Sequence, residues 1–197
     1  MDRYTVIITG ASGSAYGFRL VEQLLRAGEV TLIFTRSGAD VTAHELGFTV
    51  PETAAREAVL RFLDLRGDLP LRVASDDDLF DAVVSGTSTG DATVVAPASM
   101  GFVGALSSGV GGGLARRAAD VALKERRPLV VVPRETPLSL IHLRSLTALA
   151  EAGAIVVPAM PAFYQRPVSI DDMVNFVVGR VLDVLGVEHE LYVRWRS

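Results

Sequence analysis

The sequence predicts an α/β fold: a single-domain doubly wound parallel sheet, flavodoxin-like or Rossmann-like, in three α/β/α layers. Short apolar runs rich in β-forming residues alternate with longer segments in which apolar residues recur at helical spacing. Several of the short runs have almost no polar alternation, which is typical of strands covered on both faces. At 197 residues the chain fits one compact unit, so we expect residues 1–197 to form one domain.

The predicted elements follow one another in the order that such a sheet requires. Residues 4–9 form the first strand candidate, and the apolar residues between Phe18 and Leu25 then give residues 15–27 a helical stripe. The further strand candidates are residues 30–35, 71–74 (the weakest), 92–96, 129–132 and 155–157, the last three being almost purely apolar. The further helix candidates are residues 38–46, 53–65, 100–108, 114–124, 139–152 and 170–185. Residues 76–78 and 85–91 are predicted to be solvated loops.

Composition excludes several classes of protein. Apolar residues make up 49% of the chain, too much for a disordered chain, and 19 basic against 23 acidic residues argue against a general nucleic-acid binder. The chain has no cysteine, so neither disulfides nor thiolate chemistry is available. No apolar stretch is long enough to cross a bilayer and no targeting segment is recognisable, so we expect a cytoplasmic protein without a membrane partner. His44, His142 and His189 lack metal-ligand spacing, so we expect them to be structural and predict no metal site.

One basic residue differs in type from all the others. Of the 19 basic residues, 18 are arginine, and Lys124 is the only lysine. A compact ammonium at this position could serve a site that a planar guanidinium would not fit. Arg117 stands two helical turns before Lys124, so the two side chains share a face of the predicted helix. Asp120, one turn before Lys124, leaves open a plain surface ion pair instead.

In a doubly wound sheet, ligands bind beyond the carboxyl ends of the strands, near the point where the strand order reverses. The loop at residues 10–17 is rich in glycine and opens a helix, so its backbone N–H groups can hold an anion; a turn needed only for packing is the alternative. The loop lacks the GxGxxG pattern, and Thr35 and Arg36 stand where a dinucleotide site would have an acidic residue, which disfavours NAD. Ser99 begins the next such loop, where a helix cap and a flavin contact are both open.

Two further loops concentrate polar and aromatic groups. Arg134 and Glu135 lie between two prolines directly after an apolar strand, where packing explains them poorly and a surface turn is the alternative. Residues 158–164 combine prolines with aromatic side chains after the last strand. In isolation, Arg180 in the last helix would be a solvated residue, and Trp195, the only tryptophan, would be a docking anchor.

Together these segments resemble the flavin prenyltransferase family (UbiX-type), and the likeness covers nearly the whole chain. It is most specific in residues 117–127, 131–143 and 158–185, and the run from Val132 to Leu143 is very close to the family signature. The resemblance implies a flavodoxin-like subunit of a homododecamer, with active sites at subunit junctions and a tail, from about residue 186, packed on a neighbouring subunit. It also implies an enzyme that transfers a dimethylallyl group from dimethylallyl phosphate to reduced FMN, at N5 and then C6. The product, prenylated FMN, serves a UbiD-type decarboxylase.

The resemblance also implies roles for individual residues. The FMN-binding positions are Gly10, Ala11, Ser12, Thr35, Ser99, Met100, Gly101, Phe102 and Arg134. The positions that hold the phosphate of the prenyl donor are Lys124, Tyr164 and Arg180. The other catalytic positions are Ser12, Glu45, Arg117 and Glu135, with Trp195 against the allyl group. Ala98 and Phe102 depart from the cysteine and threonine common in the second flavin loop, so the flavin contact at Phe102 would fall to backbone donors.

These residue types suit the chemistry that the resemblance implies. Breaking the carbon–oxygen bond develops negative charge on the leaving phosphate, which Lys124, Arg180 and the Tyr164 phenol can stabilise. The allylic cation suits a π face such as Trp195, and Glu135 or the released phosphate could take the proton from C6. One alternative is a flavin-dependent cysteine decarboxylase of the same fold, whose histidine and asparagine–methionine motif have no convincing counterpart in this sequence. The other is a non-catalytic FMN carrier or assembly subunit of a decarboxylase.

Overall fold

A computed structural model describes residues 2–84 and 90–194 of the chain. Its strands, in chain order, are β1 (Asp2–Ile8), β2 (Gly28–Phe34), β3 (Leu71–Ser75), β4 (Ala92–Ala98), β5 (Leu129–Pro133) and β6 (Ile155–Val156). Its helices are α1 (Ser14–Leu24), α2 (Arg36–Leu46), α3 (Ala55–Phe62), α4 (Met100–Ser107), α5 (Leu114–Lys124), α6 (Leu140–Glu151) and α7 (Ile170–Leu185), with short 3-10 turns at Ala82–Val84 and Phe163–Gln165. Every predicted strand and helix is therefore present, including the weak candidate at β3.

The six strands form one parallel sheet in the order β3-β2-β1-β4-β5-β6. The doubly wound prediction is therefore confirmed, and the order is the one typical of Rossmann folds. The order reverses between β1 and β4, because the chain moves outward from β1 to β3 and then returns to the other side of β1. Tyr4 of β1 is in register with both Val30 of β2 and Ala92 of β4, so the carboxyl ends of these strands share one edge. A ligand site is expected at that edge, beside β1 and β4.

Side chains of the strands alternate between two apolar cores, one on each face of the sheet. Val6 and Ile8 of β1 pack in the core that α1, α3 and α7 cover. Ile7, between them, packs in the opposite core, under α4 and α5. All three side chains are fully buried, which accounts for the nearly unbroken apolar runs in the sequence. Lys124 at the end of α5 and Arg180 in α7 are consequently carried on opposite faces of the sheet.

The differences from the sequence prediction are at the ends of elements. α1 ends at Leu24 and not at residue 27, because Arg26 and Ala27 donate backbone hydrogen bonds to carbonyls three positions back and so form a turn. α3 is shorter than predicted at both ends, where Ala54 and Asp64 have left-handed backbone angles (φ 56° and 50°). The predicted loop at residues 76–78 is confirmed, whereas most of the predicted loop at residues 85–91 lies outside the described residues.

Candidate active site

A cavity of about 370 Å³ opens at the carboxyl edge of the sheet, where the strand order reverses. Residues that follow β1, β2, β3 and β4 line it, together with the beginning of α5. The lining residues are Thr9, Thr35, Arg36, Ser37, Asp76, Ser99, Gly101, Phe102, Ala115 and Arg116. Thr35, Ser99, Gly101 and Phe102 are among the positions that the resemblance assigns to FMN. The cavity thus lies where a sheet of this type binds its ligand.

Thr9, which sequence reasoning missed as a site residue, joins the end of β1 to the loop after β4. Its hydroxyl donates to the carbonyl of Pro97 over 2.8 Å and accepts from the backbone N–H of Ser99 over 2.7 Å. The residue is only 1% exposed, so both hydrogen bonds are shielded from water. One buried side chain therefore fixes the loop after β4 against the end of β1. A single hydroxyl at the end of a strand gives no distinctive signal in a sequence.

Thr35 and Ser99 both cap helices on the cavity wall. The Thr35 hydroxyl accepts from the N–H of Gly38 over 3.0 Å at the start of α2, and the Ser99 hydroxyl accepts from the N–H of Phe102 over 3.3 Å at the start of α4. The capping interpretation of Ser99 is therefore confirmed. The Ser99 hydroxyl keeps its own hydrogen for donation, so capping and a ligand contact are compatible there, whereas the Thr35 hydroxyl also donates to the carbonyl of Ile8 over 3.5 Å. Because the N–H of Phe102 is engaged in this cap, a backbone contact at its position has to come from a neighbouring donor.

Two glycines let the loops after β1 and β2 approach each other. A Cβ on Gly10 would lie 2.5 Å from the Oγ of Ser37. A Cβ on Gly38 would overlap the carbonyl oxygen of Ile8. A larger residue at either position would push α2 away from the end of β1. The packing role that the sequence left open for the glycine loop is therefore present at Gly10, alongside any ligand contact.

The N-terminus of α1 is occupied by a carboxylate of the same chain. Glu45, near the end of α2, accepts from the N–H groups of Gly13 over 2.9 Å and Ser14 over 3.1 Å. Burial alone would raise the pKa of Glu45, but hydrogen bonds from Ser12, Gly13 and Ser14 and the charge of Arg134 hold it below its usual range. The anion-binding helix start predicted from the glycine loop therefore holds Glu45, a residue 32 positions away from Gly13.

Arg134 reaches the same loops from the end of β5. Its Nε donates to the carbonyl of Ser12 over 3.1 Å, and its backbone N–H donates to the carbonyl of Ala98 over 3.2 Å. Glu135 follows it in an exposed turn, where its carboxylate accepts from the N–H of the next residue over 2.9 Å. Ser12, Glu45 and Arg134 thus lie together at the carboxyl edge of the sheet, and we call these three residues the loop cluster.

Arg117 and Lys124 lie on one face of α5, as predicted. With the glycine run at residues 109–112 they line a second cavity, of about 320 Å³. The Nζ of Lys124 lies 3.7 Å from the carboxylate of Glu125, and the side chain of Lys124 is 57% exposed. No ion pair between Lys124 and Asp120 is present in the described part of the chain. The ammonium of Lys124 is therefore not held by the plain surface pair that the sequence left open.

Tyr164 and Arg180 lie on the other side of the sheet, beside α7. The ring of Tyr164 packs edge-on against the ring of Phe176, with 6.0 Å between centroids. The Nη1 of Arg180, one helical turn beyond Phe176, donates to the carboxylate of Asp183 over 2.9 Å. The two residues that the resemblance assigns to the donor phosphate on this face are therefore neighbours of the same helix.

One chain does not bring all the expected phosphate ligands together. Lys124 is on α5 and Arg180 is on α7, and the sheet lies between these helices. The tail after α7 contacts its own chain as far as it is described, because Val193 accepts a hydrogen bond from the side chain of Gln165 over 2.9 Å. Its expected packing on a neighbouring subunit remains a prediction. Trp195 lies outside the described residues.

A larger cleft lies at the opposite edge of the sheet. It measures about 790 Å³ and is bordered by the start of β1, the end of α1 and residues 186–190. None of the positions that the resemblance assigns to FMN or to the prenyl donor lines this cleft. Because sheets of this type bind ligands at the carboxyl ends of their strands, the smaller cavity at that edge is the candidate site.

His142 and His189 are structural, as predicted. The Nδ1 of His142 accepts from the N–H of Ser139 over 3.3 Å, and the Ser139 hydroxyl accepts from the N–H of His142, which makes a reciprocal cap of α6. The side chain of His189 is fully buried, and its Nε2 lies 3.2 Å from the carboxylate of Asp183.

Residues 2–84 and 90–194 contain no group of three or more His, Asp or Glu side chains placed to hold a metal ion. The same residues form no helix with the length and apolar character needed to cross a bilayer.

Known proteins resemble this chain in sequence and in fold. The flavoprotein family model matches residues 2–182. The flavin prenyltransferase UbiX of Halalkalibacterium halodurans is 44% identical over 193 residues, which are 98% of this chain and 92% of that protein. A dodecameric FMN-dependent UbiX-like decarboxylase from Escherichia coli O157:H7 superposes with a TM-score of 0.86 at 36% identity, covering 99% of this chain and 100% of that one. AnUbiX (PadA1), in complex with FMN and dimethylallyl pyrophosphate, gives a TM-score of 0.86 at 35% identity, covering 100% of this chain and 98% of that one.

These likenesses extend over the whole fold and are not confined to the glycine-rich loops. The match runs from the first strand to the last helix, and so includes both the loop cluster and the cationic residues of α5 and α7. Sequence identity and backbone geometry point to the same group of proteins. The chain therefore belongs to the flavin prenyltransferase (UbiX) family of flavoproteins.

Proposed function

We propose that this chain is a flavin prenyltransferase, an enzyme that transfers the dimethylallyl group of dimethylallyl phosphate to N5 of reduced FMN and then closes a ring at C6. The carbon–oxygen bond of the donor breaks, a carbon–nitrogen bond forms, and phosphate leaves with the bonding electron pair. In the ring closure the π bond of the prenyl group is consumed: one of its carbons takes up a proton, the other bonds to C6, and C6 loses its proton. The observation that carries the proposal is the full-length match to a relative solved with both FMN and dimethylallyl pyrophosphate. The residues at the carboxyl edge and on α5 and α7 suit the two halves of this reaction.

The residues at the carboxyl edge fit a flavin. The cavity there has the capping hydroxyls of Thr35 and Ser99 on its wall, and the Ser99 hydroxyl has a hydrogen left to donate to a ligand. The guanidinium of Arg134 engages only its Nε with the described residues, so its terminal nitrogens remain for a ligand. Reduced FMN, when bound, supplies the electron-rich N5 and C6 that accept the prenyl group. The remaining residues proposed to hold it are Gly10, Ala11, Ser12, Met100, Gly101 and Phe102.

The departing phosphate needs cations that are already in place when its charge develops. Lys124 supplies a compact ammonium, Arg180 a planar guanidinium, and Tyr164 a phenol that donates one hydrogen bond. Lys124 and Arg180 are both more than half exposed, at 57% and 52% of their side chains. They are therefore accessible to a ligand, or to another copy of the chain.

In a homo-oligomer, Lys124 of one copy and Arg180 of another could meet at one phosphate, although the two residues lie on opposite faces of the sheet within one chain. A site that uses both Lys124 and Arg180 has to take them from different copies, so we place it at a junction between subunits. Exposed apolar side chains suit burial at such junctions. These include Ile141, Met160, Phe163, Val168 and Ile170. We propose a dodecamer, the state in the name of the Escherichia coli relative, located in the cytoplasm and supplying a UbiD-type decarboxylase.

The proton from C6 needs a base, and Glu135 is our candidate. Its carboxylate is exposed in the turn after β5 and follows directly on Arg134. Burial would raise the pKa of Glu45, but the hydrogen bonds at the start of α1 hold this pKa below its usual range, so Glu45 stays anionic. Arg117 adds a second positive charge on the Lys124 face of α5. Trp195 is proposed to lie against the allyl group.

The proposal is tested by incubating the purified protein with reduced FMN and dimethylallyl phosphate in the absence of air. We expect the flavin mass to increase by one prenyl unit, with release of one phosphate. A parallel reaction with dimethylallyl diphosphate decides which leaving group is used. Bound FMN without a mass increase would favour the carrier alternative, and oxidative decarboxylation of a C-terminal cysteine peptide would favour the decarboxylase.

A further inference from the structure

Asp183 in α7 gathers four donors on one carboxylate. Its Oδ2 accepts from the Nη1 of Arg180 over 2.9 Å and from the hydroxyl of Tyr192. Its Oδ1 accepts from the Nη2 of Arg194 over 2.9 Å and faces the Nε2 of His189 over 3.2 Å. The Asp183 side chain is only 16% exposed, so these hydrogen bonds form in a partly desolvated place where charge makes them strong.

One ring nitrogen of His189 faces this carboxylate. Its Nδ1 accepts from the N–H of Leu191 over 3.2 Å, which leaves the ring hydrogen on Nε2, opposite Asp183. The ring is fully buried. Two arginines, Arg180 in the helix and Arg194 in the tail, bring positive charge to Asp183.

Three of the four donors come from the tail after α7, which packs closely on the helix. The ring of Tyr192 lies 5.2 Å from the ring of Phe176, centroid to centroid. A Cβ on Gly179 would lie 2.5 Å from the Tyr192 ring, so only glycine leaves room for the tail at this point. Phe176 also contacts Tyr164. The docked tail thus connects Tyr164 and Arg180, the two expected phosphate ligands on this face.

We propose that Asp183 is a positioning residue of the donor-phosphate site, which orients the guanidinium of Arg180 and locks the tail to it through one shared carboxylate. The inference rests on the proposed function, because it takes Arg180 as a phosphate ligand. Only the Nη1 of Arg180 is hydrogen-bonded within the described part of the chain. Its Nη2 and Nε are therefore available to donate two parallel hydrogen bonds to two oxygens of one phosphate, the geometry that suits a guanidinium.

The test is the steady-state kinetics of Asp183→Asn in the assembled enzyme, with dimethylallyl phosphate varied and reduced FMN saturating. The amide keeps the volume and one acceptor but loses the charge that orients Arg180. We expect the KM for dimethylallyl phosphate to rise roughly tenfold, the equivalent of one charge-assisted hydrogen bond, with kcat changed less and FMN affinity unchanged. In an Arg180→Ala background the same substitution should add nothing further. A wild-type KM, or an additive effect in the double variant, would overturn the inference.

A matched control and an independent readout separate positioning from general damage. Asp171→Asn removes an exposed carboxylate from the first turn of the same helix and should leave the KM unchanged. Tyr192→Phe keeps the ring contact but loses one donor, and should raise the KM by about threefold. Hydrogen exchange at the Leu191 amide, which is bonded to His189, reports docking of the tail and should accelerate in Asp183→Asn.

These readouts remain decisive when one of them fails. If Asp183→Asn does not fold, Tyr192→Phe decides, and a wild-type KM with unchanged Leu191 exchange counts against the inference. If the wild-type protein prenylates no flavin, the proposed function fails. The phosphate-positioning inference then falls with it, and Leu191 exchange shows only whether Asp183 holds the tail.

Discussion

The carboxyl edge of the sheet differs in its construction from the two exposed cations, Lys124 of α5 and Arg180 of α7. At the carboxyl edge, groups far apart in the sequence are fixed against one another within one chain, by the buried hydroxyl of Thr9 and by Glu45 on the start of α1. Lys124 and Arg180, in contrast, are exposed and lie on opposite faces of the sheet. On the proposed function, folding prepares the flavin half of the reaction, whereas assembly completes the phosphate half.

On the proposed function, FMN binding and prenyl transfer depend on different levels of structure. Binding of the flavin should follow the stability of the single chain, because its loops are joined by buried hydrogen bonds. Prenyl transfer should follow the presence of cations from more than one copy. Substitutions in the two regions are therefore expected to separate the two properties.

The largest effect is expected at Lys124. Lys124→Ala removes a preorganised cation from the departing phosphate, which should cost on the order of a hundredfold or more in kcat. Lys124→Arg keeps the charge but changes its shape, and should also lose activity. FMN affinity, measured by flavin fluorescence, should match the wild type in both variants. Arg61→Ala, which removes an exposed cation from α3, is the control. Wild-type turnover in Lys124→Ala would remove Lys124 from the mechanism.

A smaller effect, on stability, is expected at Thr9. Thr9→Val keeps the shape of the side chain but leaves the buried N–H of Ser99 without its partner and takes one donor from the carbonyl of Pro97. The free energy of unfolding, measured by urea denaturation, should fall by about 1–3 kcal/mol, and FMN affinity should fall with it. Thr147→Val, whose exposed hydroxyl bonds only within its own helix, should change stability by less than about 0.5 kcal/mol. A Thr9→Val protein as stable as the wild type would show that another contact fixes this edge.

The smallest effect is a pH dependence at Asp183. Burial raises the pKa of Asp183, but hydrogen bonds from Tyr192 and His189 and the charge of Arg194 together hold it below its usual range. Because the pKa is lower in the folded than in the unfolded chain, the ionised carboxylate stabilises the fold above about pH 4, and this contribution is lost as the pH falls through the folded-state pKa. The melting temperature of Asp183→Asn should therefore fall less steeply below pH 4 than that of the wild type. Equal slopes would show that Asp183 has the same pKa in both states.

Sequence reasoning located the residues that follow directly on strands. Thr35 and Ser99 stand where an apolar run stops, and because parallel strands end at one edge, their place beside the cavity could be predicted. Glu45 could not be placed in the same way, because no periodicity relates it to its partner Gly13 across 32 residues. Asp183 has an ordinary i,i+3 spacing from an arginine, and only the returning tail makes it a shared acceptor. The contacts that sequence reasoning missed join segments brought together only by the tertiary fold, and no local sequence pattern indicates them.

The most direct test of the central contrast is complementation between two variants with strongly reduced but measurable activity. Lys124→Ala and Arg180→Ala are co-expressed with different tags, and oligomers that carry both tags are purified and assayed for prenylation of reduced FMN. If each site takes Lys124 from one copy and Arg180 from another, about a quarter of the sites in evenly mixed oligomers are intact, and activity returns to about that fraction of the wild type. Mixed oligomers that bind FMN but are no more active than either parent would contradict the account, because both cations would then have to come from the same chain.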